Sequence, residues 1–211
     1  MSDIGTFASN LYEWAMSDWL SDFEKNGWAE LKDFISPQTA HGIRSELFEI
    51  QQSKGFKQAS IGKLEEKAVD TSQRGDFISW IDPANTHTHT HHYLGKMDEL
   101  IAHLNSHFYL GIRDFECHYA HYPPGTFYKK HVDRHKSGSP RRVSSVLYLN
   151  PDWIPSDGGE LLIYDSSENS TRIQPVSGTL AIFLSELEHE VLVTGQDRMS
   201  ITGWMLNEKI L

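Results

Sequence analysis

The chain has 211 residues, 38% of them hydrophobic and 23% charged, which suits a sizeable core and excludes whole-chain disorder. A net charge of −10, from 29 acidic against 19 basic side chains, argues against wholesale nucleic-acid binding. One cysteine, Cys117, excludes an internal disulfide and a multi-cysteine zinc site, reads as a small packed apolar residue and suits a reducing cytoplasm. No apolar run approaches the ~18 residues of a membrane helix. The opening MSDIGTFASNLYEW lacks the pattern of a signal peptide.

In chain order, Ile4, Phe7, Leu11, Trp14, Ala15 and Phe23 predict an amphipathic helix over residues 4–25, ended by Gly27. A strand from Ala29 to Ile35 follows. Ser36 then caps a helix with Pro37 at its first position, running to about Gln52. Gly55 to Ile61 and Phe77 to Ile81 read as strands, and the polar stretch 62–75 between them as a mobile loop or irregular hairpin. The tract THTHTHH at 86–92 has the alternation of a metal-binding tract, but no carboxylate or closing ligand stands beside it. It reads as a polar loop leading into a helix over 93–108.

From residue 115 the pattern becomes β-rich. Eight short segments are predicted: Phe115–Tyr122, Phe127–Asp133, Val143–Leu149, Glu160–Tyr164, Thr171–Val176, Thr179–Leu184, Glu190–Thr194 and Ser200–Leu206. Gly- and Pro-containing turns separate them, Gly158 and Gly159 among them. Eight such strands after an α-rich part predict an α+β, mainly β fold. Its core is a double-stranded β-helix (jelly roll) with N-terminal helices packed outside. One domain over residues 1–211 is expected, helix-rich to residue 112, with the jelly roll at about 113–207.

His131 and Asp133 stand at i and i+2 on a predicted strand, so period 2 puts both on one sheet face. There they can take adjacent corners of one metal. His189, on the turn into the seventh predicted strand, is the best third ligand. Two His and one carboxylate with open positions form the facial triad of non-haem Fe(II) oxygenases. Arg198, Ser200, Thr202 and Trp204 share one face of the last strand. A buried Arg facing the cavity requires an anion, and a guanidinium suits a carboxylate bidentately. The stretch Lys129–Arg142 holds six of the 19 basic residues. It reads as a solvated rim or as a surface for an acidic partner or substrate.

This set resembles the Fe(II)/2-oxoglutarate-dependent dioxygenases of the prolyl 4-hydroxylase type. RGDFISWID at 74–82, YPPGTFYKKHVD at 122–133, RRVSSVLYLN at 141–150, GGELLIY at 158–164 and RMSITGWMLN at 198–207 are similar to the oxygen-sensing prolyl hydroxylases and their bacterial relatives. The resemblance implies Fe(II) on His131, Asp133 and His189. It implies 2-oxoglutarate held by Arg198 and Tyr148 at its distal carboxylate and by Tyr122 nearer the metal, with Thr202 and Trp204 lining the pocket. O2 is the other cosubstrate, and L-ascorbate an implied reductant.

Tyr128 and Arg142 match positions facing a peptide substrate, and Asp76 and Trp80 match elements flanking it. The turn after Tyr122 is one residue shorter than in the oxygen sensors. The implied activity is hydroxylation of a loop proline on a folded protein, with elongation factor Tu, the target of the bacterial relatives, as the leading partner. No nucleic-acid or membrane partner is expected. Alternatives are a dioxygenase acting on another residue type, a nucleobase or a small molecule, and a catalytically silent jelly-roll binding module. Nucleobase demethylases of this superfamily usually carry a second Arg shortly after the first, whereas Arg198 is the last arginine here.

Overall fold

The computed structural model describes residues 19–53, 55–59, 70–134 and 138–209. Of the helix expected over 4–25, the described part is α1, Trp19–Asn26, and residues 4–18 lie outside the described residues. Trp19 and Phe23, one turn apart, are its buried side chains. Gly27 (φ +74) stops it, its N–H donating to the Phe23 carbonyl at 2.9 Å. β1, Trp28–Leu31, ends before the expected Ile35 because Asp33 takes a left-handed turn at φ 53. α2 runs Pro37–Gln52, as expected; the Ser36 hydroxyl accepts the Thr39 N–H at 3.1 Å. The strand expected over 55–61 contracts to β2, Lys57–Gln58, with residues 60–61 outside the described residues. β3 is Phe77–Trp80.

The next helix, α3, spans Thr88–Phe108 and so absorbs most of the histidine tract that reads as a loop in sequence. The reason lies 43 residues away. Its N-cap His87 makes no side-chain cap bond. Glu46 of α2 does that work instead, its carboxylate accepting the His89 N–H at 2.8 Å and the Thr90 N–H at 3.0 Å. A carboxylate on the free amides of a helix N-terminus is the favourable charge at that end. Gly42 allows the approach, since a Cβ there would fall 2.4 Å from the His89 ring.

All eight downstream strands form. They are β4 Asp114–Tyr122, β5 Tyr128–His131, β6 Arg141–Tyr148, β7 Leu161–Tyr164, β8 Ser170–Ile173, β9 Leu180–Leu184, β10 His189–Val191 and β11 Arg198–Leu206. Two antiparallel sheets face each other as a jelly roll, with orders β1-β9-β6-β11-β4-β3-β2 and β5-β10-β7-β8. The large sheet has an apolar core on each side. Outside, α1–α3 pack through Phe23, Ile43, Leu47, Tyr93, Met97 and Leu100 onto Tyr119, Val143, Leu147, Ile182, Ile201 and Met205. Inside, Tyr122, Val146, Tyr148, Ala181 and Phe183 meet Leu161, Ile163 and Ile173 of the small sheet. Strand alternation alone assigns residues to these two sides. Among the described residues, no helix is long and apolar enough to cross a membrane.

Candidate metal and cosubstrate site

His131 and His189 stand directly opposite each other in the β5–β10 ladder, although 58 positions separate them in sequence. Their ring centroids are 4.2 Å apart. Asp133 lies just past the end of β5, not on it as period 2 had implied, because the ladder with β10 ends at the His131–His189 pair. A cross-sheet contact keeps its carboxylate inward: the Ser144 hydroxyl of β6 donates to Asp133 Oδ2 at 2.7 Å and is itself held by Ser185 at 2.9 Å. Asp133 Oδ1 is 3.8 Å from His131 Nε2, and Oδ2 is 3.5 Å from His189 Nε2. One ligand atom from each residue lies within 4.8 Å of the other two.

The histidines are set in the orientation a metal needs. His131 Nδ1 lies 2.7 Å from the Lys129 carbonyl, and His189 Nδ1 lies 3.0 Å from the Leu187 carbonyl. A carbonyl only accepts, so each Nδ1 carries a proton and Nε2 is the ring nitrogen turned toward the carboxylate. Burial, then the neighbouring His189, pushes His131 down to about 4, so the ring is neutral at pH 7. Burial alone would raise Asp133, but His189, His131, the Ser144 hydroxyl and Trp204 outweigh it and hold the carboxyl below its usual range. These three donors, two imidazoles and a carboxylate on one side, could hold Fe(II) with coordination positions left open.

On the inner side of the large sheet there is also a buried cation. Arg198 is 1% exposed; its Nε donates to the Gly159 carbonyl at 2.8 Å. Gly159 (φ +67) lets the side chain lie that close, since a Cβ there would sit 3.0 Å from Arg198 Cδ. Tyr122 and Tyr148 box the guanidinium, with ring centroids at 5.0 and 5.2 Å. Burial raises both phenols, so they stay protonated donors. Arg198 Nη2, Tyr148 Oη, Ser200 Oγ and Trp204 Nε1 are buried without a hydrogen-bond partner. Among the described residues no carboxylate lies in ion-pair reach of Arg198. Each unpaired polar group costs about 1–3 kcal/mol, and more where charge is involved. All four can donate; an anionic ligand at Arg198 would satisfy the Arg198, Tyr148 and Ser200 groups together, whereas Trp204 lies toward Asp133 and helps hold its carboxyl down. The chemistry of these groups therefore fits a ligand carboxylate at Arg198.

Thr202 is half-buried on the same row, between Arg198 and Trp204. Trp204 is 8% exposed and forms a cluster with His118 and Trp80, at centroid distances of 5.5 and 6.1 Å. Trp80, 53% exposed, carries this cluster to the surface. Arg142 is not the arginine that joins it. A β-bulge opposite Met205/Leu206 leaves Arg142 out of the ladder and flips the parity, so Arg141 lies over Trp204 at 3.6 Å. Arg141 also pairs with Glu116 at 2.8 Å. Arg142 Nη2 instead donates to the Asn207 side-chain oxygen at 2.6 Å, in the amide orientation that satisfies both groups. The dipeptide Arg141-Arg142 held the signal, but no sequence rule locates a bulge.

Asp76 is not open to a substrate. It is fully buried and takes both its oxygens to Arg74, Nε at 2.7 Å and Nη2 at 2.6 Å. The Arg74 guanidinium lies 4.2 Å over the Tyr128 ring, and that ring stacks on His131 at 3.6 Å and 16°. Arg74 was missed in sequence; its spacing of two from Asp76 was the available sign. The basic stretch 129–142 is largely neutralised on the surface: Lys130 pairs with Glu168 and Glu188, and Arg134 with Glu186. Lys136 lies outside the described residues. Two surface clefts, of about 300 and 440 Å³, are lined by Arg44, Trp153 and Asp197 and by His91, Asp98 and Phe115, away from the metal residues.

Residues 117–206 match the family model of the 2OG-Fe(II) oxygenase superfamily. Over 90% of this chain and 97% of the other, the structure superposes on that of a Pseudomonas putida prolyl-4-hydroxylase with a TM-score of 0.81 and 37% identity. The chain belongs to the 2OG-Fe(II) oxygenase superfamily, whose members use Fe(II), 2-oxoglutarate and O2. Within it, the similar proteins include prolyl hydroxylases. The chain is 32% identical to human Egl nine homolog 1 over 192 residues, 85% of this chain and 44% of that one. It also superposes, at 27% identity and a TM-score of 0.82 over 98% of this chain and 94% of the other, on a Trichoplax adhaerens prolyl hydroxylase complexed with a hypoxia-inducible-factor peptide fragment. The chain spans about half the length of the curated relatives it matches.

Proposed function

We propose that this protein is an Fe(II)- and 2-oxoglutarate-dependent prolyl hydroxylase acting on a loop proline of a folded protein, with residues 1–211 as one dioxygenase domain. The observation that carries the reading is the inward polar row: a His–Asp–His cluster at one end and an unpaired buried arginine with its tyrosine donors at the other. His131, Asp133 and His189 are the iron ligands. Iron and 2-oxoglutarate, once bound, supply the oxidising chemistry by splitting O2 with decarboxylation to succinate and CO2. The chain's part is positional. Arg198 and Tyr148 hold the distal carboxylate, Tyr122 donates to the cosubstrate nearer the metal, and Thr202 and Trp204 close the walls. The Lys129 and Leu187 carbonyls keep the imidazole protons on Nδ1.

Proline in a protein is the reading favoured by the similar structures, one a prolyl-4-hydroxylase and another a prolyl hydroxylase in complex with a peptide fragment. The exposed Trp80, backed by Trp204 and Arg141, gives a surface on which a peptide rather than a sealed-in metabolite can lie. Elongation factor Tu is the leading candidate on the resemblance to the bacterial relatives, and L-ascorbate the proposed reductant. Of the polar stretch 62–75, residues 62–69 lie outside the described residues. Purified protein with Fe(II), 2-oxoglutarate and elongation factor Tu should add one oxygen atom to a prolyl residue, seen by peptide mass spectrometry, and release succinate in step. Asp133→Ala should do neither. Uncoupled succinate release with an unmodified factor would keep the oxygenase reading and discard that target.

A further inference from the structure

We propose that Asp76, Arg74 and Tyr128 form a strap that fixes the ring of the metal ligand His131, and that they act as positioning residues rather than as substrate contacts. The chain of contacts is continuous. Asp76, with no exposure, grips Arg74 through both oxygens. Arg74 presses on one face of Tyr128 at 4.2 Å, and His131 stacks on it at 3.6 Å. The two cannot share a face, because groups at those heights over one ring would overlap. Both faces of Tyr128 are therefore taken, and only its edge is left for any other molecule.

The backbone fastens the same strap. Gly75 N–H donates to the Phe127 carbonyl at 3.0 Å, and Lys129 N–H to the Gln73 carbonyl at 2.9 Å. Residues 73–75 thus extend the small sheet beyond β5. A Cβ at Gly75 would lie 2.7 Å from Thr126 Cβ, so the approach depends on glycine. The Lys129 carbonyl that orients His131 Nδ1 belongs to a residue held by this pairing. A histidine whose ring is clamped on one face and hydrogen-bonded at Nδ1 presents Nε2 in one direction. The inference concerns the metal centre and does not depend on which substrate is hydroxylated.

The test uses Co(II) alone, bound to the full chain without 2-oxoglutarate, and reads affinity and the visible d–d bands. Tyr128→Leu removes the stack at a half-buried position. The double variant Arg74→Leu/Asp76→Leu removes the clamp while leaving no unpaired buried charge, an exchange that generally spares stability. Both should bind Co(II) about 10-fold or more weakly and shift the bands, with thermal unfolding near that of the parent. Tyr128→Phe keeps the stack and should behave as the parent. Parent-like Co(II) affinity and bands in Tyr128→Leu and the double variant would overturn the proposal, whatever their effect on hydroxylation.

Discussion

Along β11, Met199, Ile201 and Met205 face outward into the helix-packed core, while Arg198, Ser200 and Trp204 face inward and find no full set of partners. Neighbouring β6 repeats the split: Val143 and Leu147 outward, Ser144 and Tyr148 inward. Outside, buried polar groups are mostly paired. Glu46, Thr90 and Tyr119 satisfy one another through side-chain bonds of 2.6–2.7 Å, and the Tyr93 hydroxyl is an exception. The outer face is finished by the chain itself; the inner face is finished only by a ligand. One sheet therefore serves stability and chemistry by assigning alternate residues to each.

If that division holds, inner and outer substitutions on the same strands must have different consequences. The largest effect belongs to Arg198→Ala, which on the proposed function would leave the distal carboxylate of 2-oxoglutarate unpaired. Affinity measured calorimetrically with Mn(II) as the metal should fall by ~2–5 kcal/mol, on the order of 30-fold to several thousand-fold. Arg198→Lys should lose less, since a point charge replaces a planar fork. An Arg198→Ala protein with parent affinity would remove the inner row's anionic partner.

Leu147→Ala, on the outer face one residue before Tyr148, should cost ~2–5 kcal/mol of unfolding free energy. Chemical denaturation would show it, while 2-oxoglutarate affinity of the folded protein stays near the parent value. A third effect distinguishes the inner face by pH. Burial pushes His118 down to about 4 from 6.5. The unfolded chain then takes up a proton that the folded one refuses, so this contribution is intact above pH 6.5 and is lost as pH falls toward 4. His118 is 2% exposed, and the full loss is on the order of 3 kcal/mol. His118→Phe should make the acid limb of a stability–pH curve shallower; an unchanged limb would mean that His131 or another group dominates it.

The smallest effect sharpens the comparison most. Tyr148→Phe deletes one unpaired hydroxyl and nothing of the packing. Stability of the ligand-free protein should stay within ~0.5 kcal/mol or rise, while 2-oxoglutarate binding weakens by ~1 kcal/mol. A marked loss of ligand-free stability would show that the hydroxyl already has a partner.

The sequence by itself determined the strand content of residues 114–206 and the Ser36–Pro37 helix start, and it singled out as candidates the three residues that the fold brings together and the arginine that it buries. Those features rest on period 2, on capping chemistry and on residue types whose burial demands a metal or an anion, and each of these is local. The tertiary structure decided what depends on distant partners. Glu46 turned a histidine tract into the first turns of α3. The end of the β5–β10 ladder put Asp133 off its strand, and Ser144 of the other sheet brought its carboxylate back to the histidines. One bulge exchanged Arg142 for Arg141 at Trp204. Arg74 claimed Asp76 and one face of Tyr128, groups that read from the sequence as open to substrate. Alternation says which face a side chain takes, but only the packed fold says whether another group is already waiting there.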